Sequence, residues 1–295
     1  MRRLTLSLAL PLALLLAACG NSSPAPESPA GDAAAAPVGP AGSAAAPADQ
    51  AGAPAAGRKA EGKVEVTPAV RAAVDAADRS EADRALDAGR KPAELLSFLG
   101  IAPGMKVAEL GAGGGYTAEL LARVVGPGGA VYGQNTKFIL ERFAEKPWSE
   151  RLQKPVMKTV VRVNREFDDP LPPEAQNLDA VLMILFYHDT HWMEVNRDAM
   201  NRAIYRALKP GGVYGIVDHS GRAGTGTTEV KTLHRIEEKI VREEIERAGF
   251  RLAGEASFLK NPDDTRDWNA APNAAAEKRG SSDRFVLKFV KPAQP

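Results

Sequence analysis

Between residues 105 and 125 the chain passes from an apolar run through a cluster of glycines into a helical pattern. The central part reads Val107-Ala108-Glu109-Leu110-Gly111-Ala112-Gly113-Gly114-Gly115, with Tyr116 opening the helix. A strand that enters a helix through so many glycines brings bare backbone close to whatever lies above it, beside the unpaired N–H groups of the first helical turn. The rest of the chain repeats this alternation. Strands are expected over 105–110, 130–133, 158–163, 178–186, 212–217, 250–258 and 284–290. Helices are expected over 91–99, 116–125, 138–144, 192–208 and 229–248, with a further short one opened by Thr67-Pro68. The run 178–186 is apolar almost throughout, as a central strand covered on both faces must be. The pattern predicts one α/β domain with a mostly parallel, seven-stranded sheet and helices on both faces. The connection 259–283 is long for a compact domain, so it is either functional or loose. The content of Trp268-Asn269 and Lys278-Arg279 suits a lid.

The first 57 residues do not belong to that pattern. Met1-Arg2-Arg3 and a short apolar run to Ala18 have signal-peptide proportions. The run ends in Leu16-Ala17-Ala18-Cys19, which resembles the bacterial lipobox, and Cys19 is the only cysteine in the chain. The resemblance implies removal of residues 1–18 and lipidation of Cys19, a membrane anchor at the amino terminus. Residues 20–57 contain 32 Ala, Pro, Gly or Ser among 38, so 19–60 reads as an anchored, disordered linker and 61–295 as the folded domain. Gly20 follows the cysteine where an aspartate would favour inner-membrane retention. The expected location is therefore the outer membrane, with the exported domain facing the periplasm. The 38 basic and 37 acidic residues nearly cancel, which argues against non-specific nucleic-acid binding.

Three nucleotide-binding patterns compete for the glycine turn. A P-loop needs Gly-Lys-Ser/Thr, which is missing. A dinucleotide turn from Gly111 and Gly113 needs glycine where Tyr116 stands. Glu-x-Gly-x-Gly-x-Gly fits, with Glu109, Gly111, Gly113 and Gly115. The segment resembles motif I of the class I S-adenosylmethionine-dependent methyltransferases. The likeness continues in Ile101-Ala102-Pro103-Gly104, Val125-Gly126-Pro127-Gly128-Gly129, Asn177-Leu178-Asp179-Ala180-Val181 and Leu208-Lys209-Pro210-Gly211-Gly212. It implies a Rossmann-like fold and S-adenosylmethionine as cofactor. Glu109 would face the methionine amine, and Gly111, Ala112, Gly113, Gly115 and Tyr116 would form the turn along the cofactor. The family usually ends its second strand with an acid that holds the ribose. Here Gln134 and Asn135 stand in that region, and a neutral amide is a weaker acceptor. Asp168 lies near the family's adenine-side acid.

All four histidines follow the fourth and fifth strands, where open parallel sheets place their chemistry. Methyl transfer needs alignment and the removal of one proton. His188 is the expected base, oriented by Asp189 or Asp218, with Tyr187 along the methyl path and His219 as a further candidate. His191 and His234 read as helix-capping residues. Two other readings use the same region. His188, His191, His219 and two aspartates form a nitrogen/oxygen metal set, or the fold serves as a non-enzymatic nucleoside-binding or envelope module. The expected function is an envelope-tethered S-adenosylmethionine-dependent methyltransferase acting on a small or lipid-like substrate, with no metal.

Overall fold

A computed structural model describes residues 58–60 and 63–293. The signal segment, Cys19 and most of the linker lie outside these residues. Thr67 caps α1 (Pro68–Asp75), its hydroxyl accepting from the Val70 N–H, and Ser80 caps α2 (Glu81–Arg90) in the same way. Lys91, at φ 43°, turns the chain into α3 (Pro92–Leu99). Strand β2 (Lys106–Leu110) follows β1 (Arg58–Ala60), and the glycine turn leads into α4 (Tyr116–Val125). After β3 (Ala130–Asn135), one continuous helical stretch comprises α5 (Lys137–Ile139), a π-helical segment over Leu140–Ala144 and α6 (Glu145–Leu152). Then come β4 (Val160–Asn164), β5 (Leu178–Ile184), α7 (Tyr187–Trp192), α8 (Arg197–Ala207) and β6 (Leu208–His219). The last elements are α9 (Glu238–Arg247), β7 (Arg251–Ala256) and β8 (Arg284–Val290).

The sheet runs β1-β7-β8-β6-β5-β2-β3-β4, with β8 antiparallel to both neighbours and every other pair parallel. All seven expected strands are present, and β1, from the segment read as linker, adds an eighth at the edge. Neighbouring residues of β6 show that both faces are covered. Tyr214 packs on Phe250, which meets Tyr205 of α8, while a Cβ on Gly215 would lie 2.7 Å from Leu99 of α3. Central β5 contributes fully buried Val181, Leu182 and Met183.

Several helices differ from expectation: α6 lies outside the expected spans, and α7 precedes the helix expected from 192. Helix α2 was not anticipated, because its sequence is mostly polar and its stability comes from caps and ion pairs. The pattern over 192–208 is split by Glu194 in the left-handed region (φ 57°), and Asn196 caps α8 anew. Over 229–248 only the second half is helical. His234 has φ 51°, Ile236 bridges Ser220, and the Arg235 side chain is buried against Asp264 (2.8 Å). A helix through 229–237 could not send both Arg235 and His234 inward as they are found. The long connection 259–283 is pinned by the Arg235–Asp264 and Arg266–Asp283 pairs, with the Trp268 ring between Arg235 and Lys278. Among the described residues no helix is long and apolar enough to cross a membrane.

Candidate active site

The glycine turn leaves β2 at the carboxyl end of the sheet, and three supports fix its shape. Gly111 and Gly113 sit at φ 66° and 56°, where a side chain is strained. Gln134 Oε1 accepts from the Gly111 N–H (3.0 Å), and its amide donates to the Arg165 carbonyl (2.6 Å). Asn135 Oδ1 accepts from the Gly113 N–H (2.8 Å), and its Nδ2 donates to the Gly113 carbonyl (3.1 Å). Both amides are wholly buried. They brace the turn from within the fold, which corrects the expectation that they reach out to a ribose. The third support comes from α6, which sequence reasoning missed. A Cβ on Gly115 would lie 2.4 Å from the Trp148 ring, and one on Gly133 would lie 2.7 Å from it. Arg151 donates to the Gly114 carbonyl (2.6 Å) and grips Asp83 with two nitrogens (2.7 and 2.9 Å).

Over the turn lies an aromatic wall. A Cβ on Gly111 would lie 2.8 Å from the Phe186 ring, which packs on Phe167 at 5.3 Å. Above Gly113 there is open space. Ala112 is buried, and its N–H donates to the Gln134 carbonyl (2.9 Å). The Tyr116 hydroxyl donates to Asp87 (2.6 Å), and Arg90 lies 4.5 Å over its ring. Glu109 is buried beside Thr117 and the Ala118 N–H. Burial raises its carboxyl from 4.5 to about 7, and Oε2 has no hydrogen-bond partner. Its neighbours Thr117 and Arg90 line a narrow cleft with Tyr116, Leu185, Val217 and Arg284. That cleft lies at the carboxyl end of β5, beside Val217 of β6.

Next to it the structure gathers three of the four histidines. Asp218 accepts from the His188 backbone N–H (2.8 Å), from His188 Nδ1 (2.7 Å) and from the His219 N–H (2.7 Å). His188 Nε2 faces Asp189 Oδ1 (3.2 Å) and His234 Nδ1 (3.1 Å). Burial opposes charge on His188, but Asp218 and Asp189 outweigh it and raise its pKa to about 10. A ring with both nitrogens on such partners is already protonated at neutral pH. His188 is therefore oriented by Asp218 as expected, but it is not a free base. His219 is the opposite case. Burial and the charge on His188 hold it neutral, with Nδ1 2.7 Å from Ser282 Oγ.

Other expected residues serve elsewhere. Tyr187 is buried in the core, its hydroxyl donating to Glu244 (2.9 Å) and accepting from Asn201 (2.9 Å), so it does not line a methyl path. Asp168 is exposed and accepts from the Asn196 N–H (2.8 Å), tying the turn after β4 to the start of α8. His191 lies 3.5 Å from Glu244, away from the cluster. His234, read from the sequence as a capping residue, reaches the cluster instead. Its place depends on the chain break at 229–237, which no local pattern announces.

The sequence profile of the protein-L-isoaspartate(D-aspartate) O-methyltransferase family matches residues 68–159, the segment holding the glycine turn. No curated protein matches the chain. Among solved structures it is similar to an S-adenosylmethionine-dependent methyltransferase from Aquifex aeolicus, at 19% identity and TM-score 0.49, over 72% of this chain and 94% of that one. It is also similar to the arsenic(III) S-adenosylmethionine methyltransferase of Chlamydomonas reinhardtii, at 17% identity and TM-score 0.47, over 77% and 74%. Fibrillarin from Aeropyrum pernix, with natively bound S-adenosyl-L-methionine, is similar at 13% identity and TM-score 0.42, over 64% and 68%. Strand order, glycine turn and the profile match over residues 68–159 give the chain the fold of the class I S-adenosylmethionine-dependent methyltransferases.

Proposed function

We propose that this chain is an S-adenosylmethionine-dependent methyltransferase, held at the bacterial envelope by a lipid on Cys19 and acting on a small or lipid-like acceptor. The observation that carries the reading is Glu109, a buried acid with an unpartnered oxygen beside the glycine turn. Such a group is costly unless a cation meets it, and the cofactor's methionine end carries an ammonium. The residues present fit that group. Glu109 would meet the ammonium, Gly113 leaves room for close approach, and Phe186 with Phe167 excludes water above the turn. Bound S-adenosylmethionine would supply a methyl group on a positively charged sulfur. The protein aligns the acceptor and removes its proton, and His219, held neutral where His188 is not, is the candidate ring for that. The near balance of 38 basic and 37 acidic residues supports a small or lipid-like acceptor.

The non-enzymatic reading keeps one observation in its favour: Gln134 and Asn135 are occupied by the turn itself. Calorimetric titration of the purified protein with S-adenosylmethionine and its demethylated product separates the two. Saturable binding of both, weakened 10- to 100-fold in Glu109→Gln, is expected from the loss of a charge-assisted contact. No heat and no thermal stabilisation at millimolar ligand would remove the methyltransferase reading.

A further inference from the structure

Three ligand-type atoms meet at one point beside the cleft: His188 Nε2, His234 Nδ1 and Asp189 Oδ1. Their separations are 3.1, 3.2 and 3.2 Å, a nearly equilateral triangle. His188 Nδ1 is committed to Asp218, which leaves Nε2 as the nitrogen that faces the other two atoms. Asp189 Oδ1 presents lone pairs and already accepts from the Trp192 indole N–H (2.6 Å). Two imidazole nitrogens and one carboxylate oxygen gathered this closely make a place for a positive ion.

We propose that His188, His234 and Asp189 form a binding site for one divalent transition-metal ion, with zinc the first to test. Ligand atoms bound tetrahedrally at about 2.1 Å stand roughly 3.4 Å apart, close to the observed triangle. Two imidazole nitrogens and one carboxylate oxygen select zinc, iron, cobalt or nickel over magnesium or calcium. The surroundings are those of a ligand set held in advance. Asp218, wholly buried, fixes the His188 ring through Nδ1, the carboxylate–histidine arrangement that orients metal ligands. The Trp192 indole fixes Asp189. His234 is partly exposed and gives the ion a way in. Three protein ligands leave a fourth position for water or an oxygen of a bound molecule, as open zinc sites do. On binding, the metal takes a lone pair from His188 Nε2 and one from His234 Nδ1, and a proton held at either nitrogen passes to solvent.

This inference stands apart from the cofactor assignment, and its test uses no methyl donor. The purified chain, stripped with a chelator and dialysed, is titrated with Zn²⁺ by calorimetry and with Co²⁺ by visible absorption. One equivalent should bind, with cobalt bands of a four- or five-coordinate nitrogen/oxygen site. His234→Ala and Asp189→Asn should each weaken binding at least tenfold with an unchanged near-ultraviolet circular dichroism spectrum. His191→Ala, outside the triangle, should bind as the parent does. A folded parent that takes up neither ion overturns the proposal, and so do His234→Ala and Asp189→Asn proteins that bind like the parent. His234→Ala is at a partly exposed loop position, so its folding does not depend on a filled core.

Discussion

The glycine turn and the histidine cluster lie at the same edge of the sheet and are built by opposite means. At the turn, function rests on backbone shape: glycines in left-handed conformations, two buried amides bracing their N–H groups, and an indole beneath. Charge enters as outside support, Arg151 with Asp83 on the Gly114 carbonyl, and the Glu109 carboxyl is pushed toward its neutral form. At the cluster, function rests on charge held in place: two carboxylates, three imidazoles and short polar contacts in a largely buried volume. The first arrangement tolerates little added volume, and the second tolerates little removed charge.

The largest expected effect breaks the charged side. Asp218→Asn removes the charge and turns one of two accepting oxygens into a donor amide at a wholly buried position that accepts three hydrogen bonds. A loss of about 3–5 kcal/mol in urea unfolding is expected for a buried pair broken on one side. On the other side, Gly115→Ala places a methyl group against Trp148 in a left-handed backbone, φ 83°. Overpacking and backbone strain together should cost about 3 kcal/mol. Unfolding curves showing Asp218→Asn harmless, or Gly115→Ala neutral, would dissolve the contrast.

Glu109 sharpens it through pH. Its carboxyl titrates near 4.5 unfolded and about 7 folded, so the native state holds the proton longer. Stability contributed below 4.5 is therefore lost as pH rises from 4.5 to about 7, and the full penalty remains above that. Glu109→Gln should raise stability at pH 8 by about 3 kcal/mol and leave it little changed at pH 4. Parallel melts at the two values check this, and the same substitution weakens cofactor binding. The smallest effect is Gly113→Ala, which meets open space and only backbone strain, about 1 kcal/mol. A cost at Gly113 equal to that at Gly115 would show that strain rather than volume governs the turn.

The parts of the molecule written in local periodicity were legible from sequence. Seven strands and the helix Tyr116–Val125 follow from apolar runs, glycines and caps, and the turn from its own spacing. Helix α2 was missed because its apolar content is low, although Ser80 marks its start. The residues that decide the site escaped for another reason: they act across the chain. Trp148 braces Gly115 from 33 positions away, and His234 reaches His188 only because 229–237 abandons the helix its apolar spacing suggests. For Gln134 and Asn135 the position was read correctly and the direction was not, since an amide beside a glycine turn can brace it or face a ligand.

One indole meets the cap of α4 and the middle of β3 at once. Residues 115 and 133 are both limited to glycine by the Trp148 ring, whose N–H has no partner of its own. The three positions thus form a single steric lock, and a change at one should be survivable only with a change at another. A smaller side chain at 148 would let alanine enter at 115 or 133, so the cost of Gly115→Ala should shrink in a Trp148→Leu background.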